Sequence, residues 1–358
     1  MSWSSFVPTM FEKAVEARAS DIHIEPGKEQ LRIRFRIDGD LQLYRLLPMR
    51  QSASLLSQLK IMTDMDIGEK RLPQDGSLSK ENVEIRASTI PTLYGEKMVL
   101  RLLQPQNPFS SVVELGMKEW QLMQVQQWMK QPNGLLLVTG PTGSGKSTTL
   151  YTILRELNTT ERNIVTLEDP VEIHMNGINQ VQIDEKTGLT FARGLRSILR
   201  QDPDIIMIGE IRDRETVEIA VRTALTGHLV MTSLHTSDAA SAVTRLLDMG
   251  VPPYLVASSV TGVIAQRLVR KICHECAGRG KGCSHCRESG YYGRVAAFEV
   301  LTVDEELQEL IVKYPSANRI RQHVRQRGMI PLREHLMSLM TSGKTSLVEL
   351  QRVVTIDV

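Results

Sequence analysis

The sequence predicts an α/β fold class, in which a domain with a parallel sheet follows a smaller α+β unit. Three observations support this prediction. From about residue 116 onward, apolar strand patterns alternate with helical patterns, which is typical of a parallel sheet. A glycine-rich turn beginning at Gly140 lies between an apolar strand and a helix. The first 100 or so residues instead contain alternating strands and a hairpin turn, Asp38-Gly39.

The composition is that of an ordinary globular protein. The chain has 358 residues, of which 41% are hydrophobic and 23% are charged. Its net charge of +2 offers no argument for direct nucleic-acid binding. No apolar run reaches the length of about 18 residues that a membrane-spanning helix needs. The first residues also lack the basic region and apolar core of a signal peptide, so we expect a cytoplasmic protein.

We predict that residues 1–104 form the N-terminal α+β domain. Its predicted helices cover residues 4–19 and 50–64, and its predicted strands cover residues 19–26, 31–37, 41–47, 84–90 and 97–103. The second of these strands alternates apolar residues with arginines, and a solvated cationic face is the simplest interpretation of that pattern. Residues 105–115 are polar, contain two prolines and are the predicted linker.

The second domain is predicted to cover residues 116–270. Its predicted strands are 134–139, 163–167, 204–208 and 228–233, and its predicted helices are 116–130, 146–157, 190–200, 213–225 and 238–248. A cysteine-containing segment, 271–292, follows. Residues 293–358 are predicted to form a helical C-terminal subdomain, in which the helical pattern runs from about Asp304 to the end with no strand signal after Val303.

The glycine-rich turn has the pattern of a phosphate-binding loop, G-x-x-x-x-G-K-[ST]. It consists of Gly140, Pro141, Thr142, Gly143, Ser144, Gly145, Lys146, Ser147 and Thr148. Glycines let the backbone N–H groups surround a phosphate without clashes of Cβ atoms. The lysine amine of such a loop reaches the β- and γ-phosphates, and the Ser147 hydroxyl is expected to bind Mg²⁺. The sequence therefore predicts a binding site for a nucleoside triphosphate.

Two later strands end in acidic residues, and a third is followed by histidine. Glu210 follows an apolar strand, where phosphate-loop ATPases hold the magnesium shell or orient the attacking water. At the other acidic strand end, either Glu168 or Glu172 is expected to polarise water near the γ-phosphate. His235 is placed to sense the γ-phosphate, whereas a structural role is an equal alternative for His228.

The four cysteines form two closely spaced pairs, Cys273 with Cys276 and Cys283 with Cys286. Two C-x-x-C pairs at this distance suit one tetrahedral, closed zinc site. A structural role is expected because a closed site has no open position for catalysis. Four free thiols without a metal are the alternative, and His274 and His285 are interpreted as bystanders.

Four segments together resemble the secretion ATPase superfamily, the motors of type II secretion, type IV pili and competence pseudopili. They read G-P-T-G-S-G-K-S-T, T-L-E-D-P-V-E, Q-D-P-D-I-I-M-I-G-E-I-R-D and G-H-L-V-M-T-S-L-H-T, and match the family's Walker A, Asp box, Walker B and His box. The resemblance covers about residues 14–345. It implies a RecA-like P-loop ATPase domain preceded by a smaller, PAS-like α+β domain, with a zinc knuckle and a helical C-terminal subdomain.

The resemblance also implies how the site is completed. Family members form hexameric rings with ATP at the subunit junctions, and motif position assigns arginines to these junctions. These arginines are Arg86, Arg101, Arg196 and Arg200. An arginine beside the γ-phosphate offsets the charge that develops in the transition state. The implied partners are further copies of this chain and a platform protein of the inner membrane, so a peripheral location on the inner face of the membrane is expected.

The chain departs from the secretion and pilus members in two ways. In both it is similar to the short competence-pseudopilus ATPases, which support DNA uptake. The chain begins almost directly at the second domain of the longer members, and its cysteine pairs lie closer together than theirs. Three alternatives stay open. They are a pilus retraction motor, a DNA-translocating ATPase of the conjugation type, and a non-catalytic scaffold.

Overall fold

The chain divides into two units, Met1–Gln106 and Asn107–Val358. The computed structural model describes residues 3–80, 83–103, 109–279 and 282–354. The predicted boundary at residue 104 and the first part of the predicted linker, residues 105–108, lie outside the described residues. So do residues 280–281 of the predicted zinc segment.

The first unit is built on one antiparallel sheet of six strands. Its elements are α1 (Trp3–Glu16), β1 (Ala19–Pro26), β2 (Gln30–Ile37), β3 (Asp40–Pro48), α2 (Ser52–Met62), β4 (Gln74–Lys80), β5 (Val83–Thr92) and β6 (Gly95–Leu103). The strand order is β3-β2-β1-β6-β5-β4. The sequence pattern does not predict strand β4, because its residues have a low intrinsic preference for strands and are ordered by pairing with β5.

Alternation along the strands separates the two faces of this sheet. Leu31, Ile33 and Phe35 of β2 are buried in one core with residues of α1 and α2. The arginines between them lie on the opposite face, as a period of two residues requires. The turn into β3 places Asp38 at φ 50° and Gly39 at φ 97°, which suits an Asp-Gly hairpin.

The second unit contains a mixed sheet of seven strands. Its elements are α3 (Glu119–Met129), β7 (Gly134–Thr139), α4 (Lys146–Leu157), β8 (Ile164–Glu168), β9 (Asn179–Gln182), α5 (Phe191–Ile198), β10 (Ile205–Ile208), α6 (Arg214–Leu225), β11 (Leu229–Leu234), α7 (Ala239–Asp248), α8 (Pro253–Ser259), β12 (Val260–Ile272), β13 (Tyr291–Thr302), α9 (Glu305–Lys313), α10 (Ala317–Gln326), α11 (Leu332–Thr341) and α12 (Leu347–Val354). The strand order is β13-β12-β7-β11-β10-β8-β9.

The central strands of this sheet are parallel and buried. Strands β7, β11, β10 and β8 are neighbours in that order, and every residue in them is buried. Two separate apolar clusters contain residues from both the strands and the helices of this unit. Because the strands run in one direction, their carboxyl ends meet along one edge, which is the usual ligand-binding position. The predicted α/β fold is therefore confirmed.

The predicted C-terminal helical subdomain, 293–358, is wrong in its first part. Residues up to Thr302 belong to β13, which pairs antiparallel with β12, and helices begin only at Glu305. Neither β12 nor β13 was predicted, and β9 was also missed. These strands gain their stability from pairing with distant segments, which local sequence patterns do not reveal.

The end of the predicted linker, 105–115, is packed rather than extended. Val112–Leu115 form a 3-10 helix in which Val112 and Leu115 are buried. The backbone N–H of Val112 and the hydroxyl of Ser111 both donate to the Glu156 carboxylate, at 3.0 Å. These apolar side chains extend the core of the second unit, so this part of the chain does not act as a free connection.

No helix in the parts of the chain that the structure describes is both long and apolar enough to cross a bilayer.

Candidate active site

The glycine-rich turn connects the end of β7 to the start of α4. Gly140, Gly143 and Gly145 adopt φ values of 154°, 79° and 89°. A Cβ atom at Gly140 would lie 2.5 Å from the carbonyl oxygen of Gln266, and one at Gly145 would lie 2.7 Å from the Nε2 of the same residue. The turn therefore needs glycine for its backbone conformation and for its close contact with β12.

Lys146 is the first residue of α4, and its amine lies over the turn. The Nζ donates to the carbonyl oxygens of Gly140, at 2.9 Å, and Pro141, at 3.2 Å. Burial lowers the pKa of Lys146; the Glu210 carboxylate opposes this shift, and Arg267 adds to it. The amine is thus already placed above the N-terminus of a helix, which favours a bound anion.

The remaining polar groups of the turn differ in exposure. Ser147 is partly exposed in the first turn of α4, where its hydroxyl is available to a metal ion. Thr142 is exposed, and Ser144 is buried. The Thr149 hydroxyl, one turn further along α4, donates to Oε1 of Gln266 at 2.6 Å. Gln266 thus contacts both ends of the turn and fixes it against β12.

Glu210 lies between two basic side chains just beyond the carboxyl edge of the sheet. One carboxylate oxygen accepts from Arg212, and the other lies 3.3 Å from Nε2 of His235. Burial alone would raise the pKa of Glu210, but the hydrogen bonds and charges of Arg212 and His235 more than offset this and lower it. The group is therefore ionised near neutral pH, as a proton-accepting carboxylate must be.

Glu168 ends β8 and is only 3% exposed. Its carboxylate accepts from the hydroxyls of Tyr151 and Thr166, the latter at 2.5 Å, and from the amide of Gln180 at 3.1 Å. The side chain of Glu172 is exposed, and its backbone N–H donates to the Tyr151 hydroxyl at 3.2 Å. Of the two acids considered for this segment, Glu168 is buried and held by hydrogen bonds, and Glu172 is open to solvent.

The two arginines of the first unit lie side by side. Arg86 of β5 is directly opposite Arg101 of β6 in the antiparallel register. Side chains in such a pair have Cβ atoms about 4.5–5.5 Å apart. Each has an acidic neighbour, since Nε of Arg86 is 3.4 Å from Glu84 and Nε of Arg101 is 3.0 Å from Asp21.

The two arginines of the second unit lie near its surface. Arg196 of α5 pairs with Glu215 of α6, and both side chains are exposed. Arg200 follows the end of α5, and one of its guanidinium nitrogens donates back to the carbonyl oxygen of Arg196 at 2.8 Å. His228 also has a local contact, because its Nδ1 lies 3.3 Å from the carbonyl oxygen of Thr223. These local contacts do not test the functional roles of the arginines, which stay predictions.

The four cysteines meet between the ends of β12 and β13, with all four sulfur atoms within 4.8 Å of one another. The sulfur atoms of Cys283 and Cys286 are 3.7 Å apart. The N–H groups of Cys283 and Gly290 donate to the Cys286 sulfur at 3.1 and 3.2 Å. Burial alone raises the pKa of Cys286, but these N–H groups help to lower it to about 6. This donor set fits one tetrahedral zinc ion.

Three residues of the site are not among those that the sequence patterns predict. Arg212 follows Glu210 by two residues in a segment already singled out, so its charge and position were a usable signal. Gln266 and Tyr151 carried no such signal. Gln266 lies 117 residues beyond its partner Thr149, and only the pairing of β12 with β7 brings them together.

The glycine-rich turn, the lysine above it and the ionised carboxylate at the neighbouring strand end define an ATP-hydrolysing P-loop enzyme. The chain belongs to the type II/IV secretion system protein family, whose model matches residues 3–352. The predicted superfamily is thereby confirmed.

Curated relatives and a solved structure agree with this assignment. The chain is 46% identical to the type II secretion system ATPase E of Vibrio cholerae, over 97% of this chain and 74% of that protein. It is 43% identical to the type IV pilus assembly ATPase PilB of Thermus thermophilus, over 96% of this chain and 42% of that protein. The crystal structure of the pilus retraction motor PilT with bound ADP is similar, with a TM-score of 0.70, 29% identity and coverage of 96% and 95% of the two chains.

Proposed function

We propose that this protein is the motor ATPase that powers assembly of a type IV pilus-like fibre or a type II secretion pseudopilus. The observation that carries the proposal is the arrangement of Lys146 above the phosphate-binding turn, with Glu210 and His235 in contact beyond the nearby strand ends. Relatives that are 43–46% identical to this chain over the aligned residues are named for these two machines.

In the proposed reaction, the turn holds the phosphates of ATP through its N–H groups while Lys146 contacts the β- and γ-phosphates. Ser147 would hold Mg²⁺, which neutralises charge on the phosphates. Glu210 accepts a proton from the water that attacks the γ-phosphate, and His235 orients that carboxylate. Glu168 polarises water near the γ-phosphate, and three hydrogen-bond donors hold its carboxylate in place.

The arginines are assigned to the junctions of a homohexameric ring. Arg86 and Arg101 complete the ATP site of a neighbouring copy, and Arg196 and Arg200 contribute from the second unit. The cross-strand position of Arg86 and Arg101 brings two cations together on one face of the sheet, and this pair of cations supports binding of a phosphate there. ATP binding then closes the junction, and hydrolysis with product release opens it.

The partner outside the ring is a platform protein of the inner membrane, against which the cytoplasmic ring works. The cysteine cluster holds one structural zinc ion and orders the end of the β12–β13 hairpin. No direct nucleic-acid contact is assigned, since a net charge of +2 provides no extended basic track. Among the possible machines, the close spacing of the cysteine pairs favours a competence pseudopilus.

The catalytic assignment is tested by substituting Glu210→Gln and Lys146→Ala in the purified chain. We expect Glu210→Gln to bind ATP normally while steady-state turnover falls by about 100-fold or more, because the amide cannot accept the proton of water. Lys146→Ala should also lose turnover, and it should weaken binding. The measurements are phosphate release at saturating ATP and binding of a fluorescent ATP analogue.

A suitable control is Glu218→Gln, which removes an exposed carboxylate paired with Arg214 elsewhere in the same unit. It should retain the unsubstituted rate. Substantial steady-state hydrolysis by Glu210→Gln would contradict the role assigned to this acid.

The machine is identified by deleting the gene in its source organism and measuring DNA uptake, protein secretion and fibre length. Loss of fibres together with uptake supports the competence assignment, and loss of secretion supports the type II system. Fibres that grow but no longer shorten would instead indicate a retraction motor. ATPase activity stimulated by DNA, with a steep salt dependence, would indicate DNA translocation.

A further inference from the structure

A row of charged side chains crosses the polar face of the first sheet. In the strand register, Asp21 of β1 is opposite Arg36 of β2 on one side and Arg101 of β6 on the other. Arg101 is in turn opposite Arg86 of β5. Residues that are directly opposite project from the same face, so the row places three arginines with Asp21, and Arg86 at its end also has Glu84 beside it.

The Asp21 carboxylate is buried, and both of its oxygen atoms are engaged. The Asp21 side chain is only 8% exposed. Its Oδ1 accepts from Nε of Arg101 at 3.0 Å, and its Oδ2 accepts from the Ser20 hydroxyl at 2.8 Å. Nε of Arg36 lies 3.8 Å from the same Oδ2. These partners and the backbone of β1 together hold the Asp21 carboxylate in one position.

The Arg101 guanidinium is bound through its Nε, and its terminal nitrogens are open to solvent. Its side chain is 66% exposed although its Nε is bound to Asp21. Among the described residues, its two terminal nitrogens make no hydrogen bond. A guanidinium can bind one carboxylate through Nε and still present its terminal N–H groups to a second anion. The exposed end of Arg101 is therefore available to a phosphate group while its base is fixed.

We propose that Asp21 is the positioning residue that aims Arg101 at the terminal phosphate of ATP bound to a neighbouring copy. This inference rests on the proposed role of Arg101 at the ring junction. Binding of Nε restricts the rotamers of a long side chain before the phosphate arrives, so less freedom is lost in the transition state. The Asp21 carboxylate also offsets the repulsion between Arg101 and Arg86. Without it, this repulsion would turn the two guanidinium groups away from each other.

The proposal is tested by measuring kcat, KM and nucleotide binding for Asp21→Asn, Arg101→Ala and the double variant in the full chain. Arg101→Ala should lower kcat by about 100-fold or more. Asp21→Asn should lower kcat by about 10-fold with little change in KM, since one charge-assisted hydrogen bond is weakened. In the Arg101→Ala background, Asp21→Asn should have no further effect, because Asp21 acts through that arginine.

Two further variants make the result independent of folding defects. Arg101→Lys keeps the charge but lacks Nε, so it too should make kcat insensitive to Asp21→Asn. Glu25→Gln is the matched control, because Glu25 is on the same strand and face and is bound by Arg34 at 2.8 Å. Glu25→Gln should lower the stability of the first unit, because it removes an ion pair. It should leave kcat unchanged, and it should not alter the fall in kcat that Arg101→Ala causes.

The outcomes separate this inference from the proposed function. An unchanged kcat for Arg101→Ala overturns the assigned role of that arginine and, with it, the inference. A full Arg101→Ala effect together with a normal kcat for Asp21→Asn overturns only the role of Asp21. The role of Asp21 is also overturned if Asp21→Asn lowers kcat equally in the unsubstituted and the Arg101→Ala chains. It is overturned as well if Glu25→Gln lowers kcat as much as Asp21→Asn does, or if Asp21→Asn raises kcat.

Discussion

Tyr151 shows how a single hydroxyl joins the phosphate-binding helix to the acidic end of β8. The side chain is 2% exposed, donates to the Glu168 carboxylate and accepts from the backbone N–H of Glu172. Burial and the adjacent carboxylate raise the pKa of Tyr151 far above its usual range, so the hydroxyl keeps its proton and remains a donor. Substituting phenylalanine removes this bridge with almost no change in shape.

We predict that Tyr151→Phe lowers the free energy of unfolding by about 1.5–3 kcal/mol, the range for a hydrogen bond to a charged group. It should also lower kcat, because Glu168 loses one of its three donors. Urea unfolding and phosphate release measure the two effects.

The control for this prediction is Tyr291→Phe, which breaks a 2.7 Å contact between hydroxyls of Tyr291 and Ser346, outside the proposed site. It should lower stability without lowering kcat. A Tyr151→Phe protein with full turnover would show that Glu168 does not depend on this donor.

The hairpin of β12 and β13 is the element on which two features depend. Gln266 in β12 contacts the phosphate-binding turn, and the cysteine cluster follows directly after the end of the same strand. The segment between the strands includes turns at Cys273 and Cys283 and several glycines, so it has little apolar material of its own. A metal ion supplies the cross-link that such a segment otherwise lacks.

We predict that protein purified without chelator contains about one zinc ion per chain, as a single closed four-cysteine site requires. Strong chelation combined with thiol modification should remove the ion and lower the Tm. Elemental analysis and thermal unfolding measure these changes.

A suitable control for the zinc prediction is His274→Ala. This histidine lies between two cysteines in the sequence but pairs with Glu275 at 3.3 Å and packs edge-on against His285. It should retain the metal, whereas Cys286→Ser should lose it. Less than about a tenth of an equivalent of zinc in the unsubstituted protein would contradict the site.

At the scale of the whole molecule, Arg86 and Arg101 belong to the first unit of the chain and the phosphate-binding turn belongs to the second. The proposal assigns them to one functional site only across two copies in a ring. Such a head-to-tail interface closes when the rotation between copies is regular. Whether an arginine acts within its own chain or on a neighbour can be decided by mixing defective subunits.

We predict that Lys146→Ala and Arg101→Ala subunits, each inactive alone, regain activity when they assemble into mixed rings. A junction is intact when the turn comes from an Arg101→Ala subunit and the arginine comes from a Lys146→Ala subunit. In a random equal mixture with a head-to-tail interface, this holds for about one junction in four. The measurement is phosphate release after subunit exchange. A mixture of Lys146→Ala with Glu210→Gln is the control, since both defects lie in the same unit and no junction is restored.

Much of the fold and part of the site could be predicted from local patterns. The four central strands and the turn between β7 and α4 were predicted because buried strands are short apolar runs and the turn has a fixed glycine spacing. Glu210 and His235 follow apolar runs in the sequence, and their side chains lie 3.3 Å apart because the neighbouring parallel strands β10 and β11 end together. The strands β4, β9, β12 and β13 were not predicted, because their order comes from partners distant in sequence.

By itself, the sequence determined the class of chemistry: a phosphate-binding turn, the acids that follow two strands and the paired cysteines all depend on short spacings. Only the tertiary structure decided which acid is buried and which arginines share a row. Glu168 and Glu172 look equivalent in the chain, but the contact with Tyr151 separates them. Arg101 meets Asp21 because two strands 80 residues apart are hydrogen-bonded in one register. Pairing between such distant strands arises from packing and burial of the whole sheet, which no local pattern encodes.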